Sequence, residues 1–159
     1  MKLIKRKSET WQYELNQVES VLLKQLLKNF PFTGNVPVKI SKADADPKSF
    51  EREKLLNESL AEHRKELKKQ ASNLISGEKL KTSEKGHLLT LNAEEREILL
   101  QILNDIRVGC WRALGEPETT EMHKPDCSAQ DIARHQLMNL AGYFEHHLIG
   151  LTERETGRH

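Results

Sequence analysis

Cys110, His123, Cys127 and His135 are the one set of side chains whose types suit metal or redox chemistry. Thiolate sulfur and imidazole nitrogen are the donors that zinc and similar ions take. Twelve, three and seven residues separate successive members of the set. That spacing lacks the close CxxC pairing of a zinc site. The alternative is structural. Cys110 lies on an apolar helical stripe, where a free cysteine behaves as a small hydrophobe, and His123 falls in a polar loop. Cys110 and Cys127 are also a candidate redox pair, one near the end of a helix and one just before the next. A bond between them needs Cα atoms within about 7 Å. In a reducing compartment it would regulate rather than staple.

Three other groups carry charge or titrate. His146 and His147 are adjacent on a helix, so they point apart and do not share an ion in the usual way. Glu94, Glu95, Glu97, Asp105 and Arg107 give one helix a charged outer face. Two readings stand for it: a polar hot spot in which Arg107 meets a carboxylate and positions another helix, or a solvated surface whose ion pair is worth under about 1 kcal/mol. Lys2, Lys5, Arg6 and Lys7, with Lys65, Lys68 and Lys69, form a basic patch if the chain's start meets its middle helix. Trp11 and Tyr13 would then be available to stack on bases, although their alternation also suits a strand's core face. There is no glycine-rich phosphate loop, GxSxG, HExxH or recognisable Ser/His/Asp set. No cofactor is expected.

These residues sit in a chain of 159 residues, a length that suits one domain spanning 1–159. A net charge of +1 gives no global attraction to nucleic acid or anionic membrane. Two cysteines do not make a secreted disulfide framework. No apolar run approaches the roughly 20 residues of a membrane span, and no signal peptide is evident. A cytoplasmic protein with no membrane attachment is therefore expected.

The patterning predicts a mainly α, four-helix domain with a small β-hairpin or short sheet. Residues 2–15 read as the hairpin, with Trp11, Tyr13 and Leu15 alternating against Gln12 and Glu14 and a turn at Ser8, Glu9 and Thr10. Helices are expected over 16–30, 48–76, 92–114 and 128–151, followed by a frayed tail over 152–159. Residues 31–47 read as a loop in which Val36, Val38 and Ile40 add a short extended segment, and 77–86 as a polar linker. A short strand is expected over 87–91. The predicted apolar stripes are Val18, Val21, Leu22, Leu26 and Phe30 on the first helix. On the second they are Leu56, Leu60, His63, Leu67, Ala71 and Leu74. The third carries Ile98 to Leu114, and the last Ile132, Leu137, Leu140, Ala141, Phe144, Leu148 and Leu151. The second stripe is long and narrow enough to serve a homodimer instead.

The caps repeat. Asn16 with Glu19, and Asn92 with Glu95, have the spacing of a capping box, and Ser128 opens the last helix in the same way. The segment from Leu15 matches that from Leu91: strand end, Asn cap, Glu at the third helical position, then a Leu-rich helix with a Gln in register. We read this as a repeated strand–cap–helix unit. Its physical consequence is that the two strands pair and their helices cover one face.

The same stretches resemble the bacterial domain-of-unknown-function family numbered twenty-seventeen. The match runs through the basic start and the Leu15-Asn16 helix opening, then Leu89-Thr90-Leu91-Asn92-Ala93-Glu94-Glu95. It is closest at Leu103-Asn104-Asp105-Ile106-Arg107 with Leu114-Gly115. Tyr143 and Phe144 stand where the family has an aromatic-rich last helix. The chain departs at Ala93, where members carry Pro, in the middle helix and in the cysteine-containing loop. Members are often encoded beside the Clp protease adaptor, so the resemblance implies a regulatory or protein-handling setting and no reaction. The expected function is a non-enzymatic regulatory or interaction protein with a protein partner. The alternatives are a nucleic-acid-linked regulator using the basic hairpin and a metal or redox sensor using the Cys/His set.

Overall fold

Two hairpins, each delivering a capped helix, build the molecule. A computed structural model describes residues 1–32, 46–118 and 127–156. Strands β1 (Lys2–Lys7) and β2 (Thr10–Leu15) turn at Ser8 and Glu9, where Ser8 takes a φ of 54°. Thr10, expected in the turn, is already the first residue of β2. Helix α1 (Gln17–Asn29) follows, then α2 (Pro47–Leu74), whose Asp46 cap and Pro47 are standard helix-opening chemistry. Strands β3 (Leu80–Ser83) and β4 (Gly86–Asn92) form the second hairpin, followed by α3 (Ala93–Ala113) and α4 (Ala129–Thr156). The protein is mainly α, with one small four-stranded antiparallel sheet in the order β1-β2-β4-β3.

The repeat is larger than one strand and one helix. Leu15 falls on Leu91 at a shift of 76 positions, and the same shift carries Tyr13 onto Leu89 and Asn16 onto Asn92. Tyr13 and Leu89 are also paired across β2 and β4, as are Leu15 with His87 and Trp11 with Leu91. The sheet is therefore two-fold about its centre, and the chain reads as two ββαα halves. Strand β3 was hidden in the expected polar linker because Leu80 is its only apolar residue. Its pairing with β4, Leu80 opposite Leu89, makes it a strand.

Alternation sends Tyr13, Leu15, Leu89 and Leu91 to one face, where all four are buried with Leu23, Leu26, Ile102, Leu103, Phe144 and Leu148. Several predicted stripes shift in phase. On α1, Val18 and Val21 are exposed, while Ser20, Leu23, Leu26 and Leu27 face inward, because runs of adjacent leucines permit either phase. On α2 only Leu67, Ala71 and Leu74 are buried. Leu56 and His63 are exposed, so the stripe is a core seam over the second half of the helix alone. On α4, Ile132 is exposed and His135 and Met138 are buried in its place. Backbone helix runs on to Thr156 where a frayed tail was expected. The extended segment at Val36, Val38 and Ile40 lies outside the described residues.

Gly86 shows how tightly the hairpins meet. Its φ is 143°, and a Cβ there would lie 2.3 Å from the Leu15 carbonyl oxygen. Backbone cannot yield as a flexible side chain would. Gly86→Ala is expected to destabilise the fold by about 2–4 kcal/mol, read as a lower urea midpoint at unchanged slope.

Candidate functional site

Helix starts come first, because they aim the side chains that follow. Asn16 Oδ1 accepts from the Glu19 N–H at 2.8 Å, and Glu19 Oε2 accepts from the Asn16 N–H at 2.8 Å. Asn92 and Glu95 do the same on α3 at 2.8 and 2.9 Å. Each capping glutamate also meets a cation: Glu19 the Met1 ammonium, and Glu95 the Lys79 ammonium at 2.6 Å. Tyr143 on α4 donates its hydroxyl to Glu19 as well, tying the last helix to the first. Ser128 Oγ accepts from the Asp131 N–H at 3.1 Å at the start of α4.

Of the residues singled out by type, Cys110 and His135 are covered. Cys110 is fully buried on α3, and burial pushes its thiol up, against the opposing pull of the Arg134 charge. Cys127 is half-buried, and both cysteines are free thiols. His135 is buried on α4 with its Nδ1 unpartnered. His123 lies outside the described residues. Among the described residues, no three His, Cys, Asp or Glu side chains converge as a metal-holding group. Lys2, Lys5 and Lys7 pair across from Glu14, Gln12 and Thr10, on the sheet face turned away from the helices. Trp11 and Tyr13 point the other way. Tyr13 is fully buried, and the guanidinium carbons of Arg6 and Arg96 each lie 5.3 Å from the Trp11 ring centre. The expected pairing of exposed lysines with stacking aromatics is therefore not formed: the aromatics are core residues, as their alternation also allowed. Among the described residues, no helix is long and apolar enough to cross a membrane.

What the fold does assemble is a groove along the outside of α3 and α4. Asn104, Arg107, Val108 and Trp111 come from α3, at spacings that put them on one face. Met138, Asn139 and Gly142 come from α4. The groove has a volume of about 440 Å³, within the range of roughly 300–1,000 Å³ typical of ligand pockets. Val108 and Trp111 remain over a third exposed, and Met138 lies deeper. Trp111 is oriented by its indole N–H, which donates to the Pro117 carbonyl at 3.1 Å. Asn104 and Asn139 are exposed and have no hydrogen-bond partner among the described residues.

Arg107 crosses from α3 to α4. Its Nη1 donates to Glu145, which is mostly buried, while the arginine side chain is 46% exposed. The neighbouring Asp105 turns to α2 instead and accepts from Arg64 Nε at 3.0 Å on both oxygens. Two charged residues on different sides of α3 thus clamp it to two different helices. Arg107 carried a signal in the sequence, as the charged residue expected to meet a carboxylate and position another helix. Trp111, Met138, Asn139 and Gly142 carried none that spacing identifies, because the groove forms only when two helices meet. Comparison with protein-family models, curated proteins and solved structures returns no match.

Two measurements follow from the titrating groups. Cys110 is expected to resist a thiol reagent at pH 8 until the protein unfolds, while Cys127 reacts in the native state, as counted by mass after timed labelling. His147 lies edge-on to Tyr143 at 4.5 Å, and burial, then the Met1 ammonium and His146, hold its pKa below the ordinary 6.5. The imidazole is neutral in both states above that value, and below it the unfolded chain takes up the proton first. Stability should therefore fall as pH drops through about 6.5, and the fall should be shallower in His147→Gln, measured by urea midpoints from pH 7.5 to 5.

Proposed function

We propose that this chain is a non-enzymatic interaction protein that holds a segment of a partner protein in the α3–α4 groove. One observation carries the reading. Val108 and Trp111 are left exposed between Asn104 and Asn139, whose amides have no partner among the described residues, on the two helices that share the Arg107–Glu145 pair. A concave groove lined by apolar side chains with a few polar groups at its edge is the form that binding sites take. The regulatory, protein-handling setting implied by the family resemblance agrees with it, as does a cytoplasmic location. A homodimer through the exposed first half of α2, with Phe50 and Leu55 outermost, is compatible with the same role.

A nucleic-acid partner has less support. The outward lysines lack aromatic neighbours, and Arg6 is engaged with Trp11. The two readings separate on point variants in partner capture from a native lysate. Val108→Arg, at an exposed position, is expected to abolish stoichiometric capture of a protein, and Lys5→Glu is expected to leave it intact. Capture lost with Lys5→Glu and kept with Val108→Arg would transfer the function to the sheet and sink the groove.

A further inference from the structure

Resting on the interaction reading above, we infer that the groove receives the free C-terminal carboxylate of a partner chain that ends in an apolar residue. Arg107 supplies a cationic donor edge, its charge shared with Glu145. Glu145 engages Nη1 and holds the guanidinium in place, while Nε and Nη2 make no hydrogen bond to the described residues. That free edge presents two parallel N–H donors, the geometry that pairs with a carboxylate through two bonds.

Gly142 keeps the edge open. A Cβ there would lie 3.7 Å from Arg107 Nε and 3.8 Å from its Cδ, so a larger side chain would cover the donors. A glycine in mid-helix is otherwise a cost, since it adds backbone entropy to the unfolded chain and packs nothing. Its place against the arginine edge makes this a position where a small residue, glycine or alanine, leaves the donors uncovered.

The remaining lining specifies what accompanies the carboxylate. Val108, Trp111 and Met138 offer an apolar seat. Asn104 and Asn139 offer amides, each able to donate to and accept from a peptide unit. A docked helix has already satisfied its main chain internally and would leave those amides idle. An internal acidic residue fits poorly as well, because neighbouring side chains of an extended peptide point to opposite faces. A chain end brings a carboxylate, an amide and an apolar side chain together in one residue. The groove presents their three complements on seven residues.

The test uses the full chain and fluorescein-labelled octapeptide pools, random except for a final Leu, Ile or Phe. Each pool is made as the free acid and as the C-terminal amide, and binding is read by polarisation. Free-acid pools should bind at least about tenfold tighter than the amides, the value of charged hydrogen bonds to a guanidinium. The preference should vanish in Arg107→Gln and in Gly142→Leu. It should survive in Gly142→Ala, whose Cβ makes only ordinary contact and whose helix is the more readily formed; this variant also guards against misfolding as the cause of loss. Equal binding of acids and amides would overturn the carboxylate assignment while leaving the interaction reading standing. A further amidated pool with one fixed internal Asp that binds as tightly as the free acids would overturn the chain-end assignment. No binding by either pool, with partner capture still sensitive to Val108→Arg, would overturn this inference alone.

Discussion

The antiparallel pairing of β2 with β4 is the contact from which the rest of the molecule is organised. Each strand closes its own hairpin and leads straight into a capped helix, so joining the two strands fixes where both helices begin. The pairing is centred on Tyr13 opposite Leu89, residues that are also equivalent in the repeat. Neither hairpin would bury its apolar face alone, since a two-stranded ribbon is at best marginal in water. Joined, they form a four-stranded sheet with Tyr13, Leu15, Leu89 and Leu91 inside.

Charge then finishes what the strands begin. A capping residue is typically worth about 0.5–2 kcal/mol, and here each of the two asparagine caps is braced by a cation at the glutamate that completes it. Glu19 does more than its counterpart, because it also accepts from Tyr143 and so draws α4 towards the first half of the chain. Arg96 plays the reciprocal part, donating to the Tyr13 hydroxyl at 3.3 Å and to the Leu148 carbonyl at 2.5 Å. The two halves are held together by an apolar core and by polar links that cross it at its edges.

The repeat is not structurally symmetric. Helix α3 is packed along its length by α4, and a groove with exposed polar and aromatic residues lies along that pair. Its counterpart α1 is shorter, and α2 contributes only the second half of its stripe to the core. The repeated unit thus supplies the scaffold twice, and the α3–α4 groove belongs to its second half. Arg107 and Asp105, two residues apart, divide the work of fixing α3 between α4 and α2.

The mainly helical class, both capping glutamates and the matched halves were legible in the chain, because each depends on residues a few positions apart. A cap is a contact between positions i and i+3, and strand alternation has a period of two. Strand β3 was not legible, since a four-residue segment with one leucine becomes a strand only when β4 lies beside it. Helix phase was misread on α1 for a related reason: adjacent leucines define a stripe only once a neighbour selects one side of it. Cys110, Cys127 and His135 show the converse, because they do not converge as a metal-holding group among the described residues, and suitable residue types imply nothing until they do. Apart from Arg107, the groove was beyond the sequence. Gly142, Asn139 and Trp111 are ordinary residues on separate helices, and only the docking of α4 on α3, enforced by apolar burial and by the Arg107–Glu145 pair, turns them into a surface.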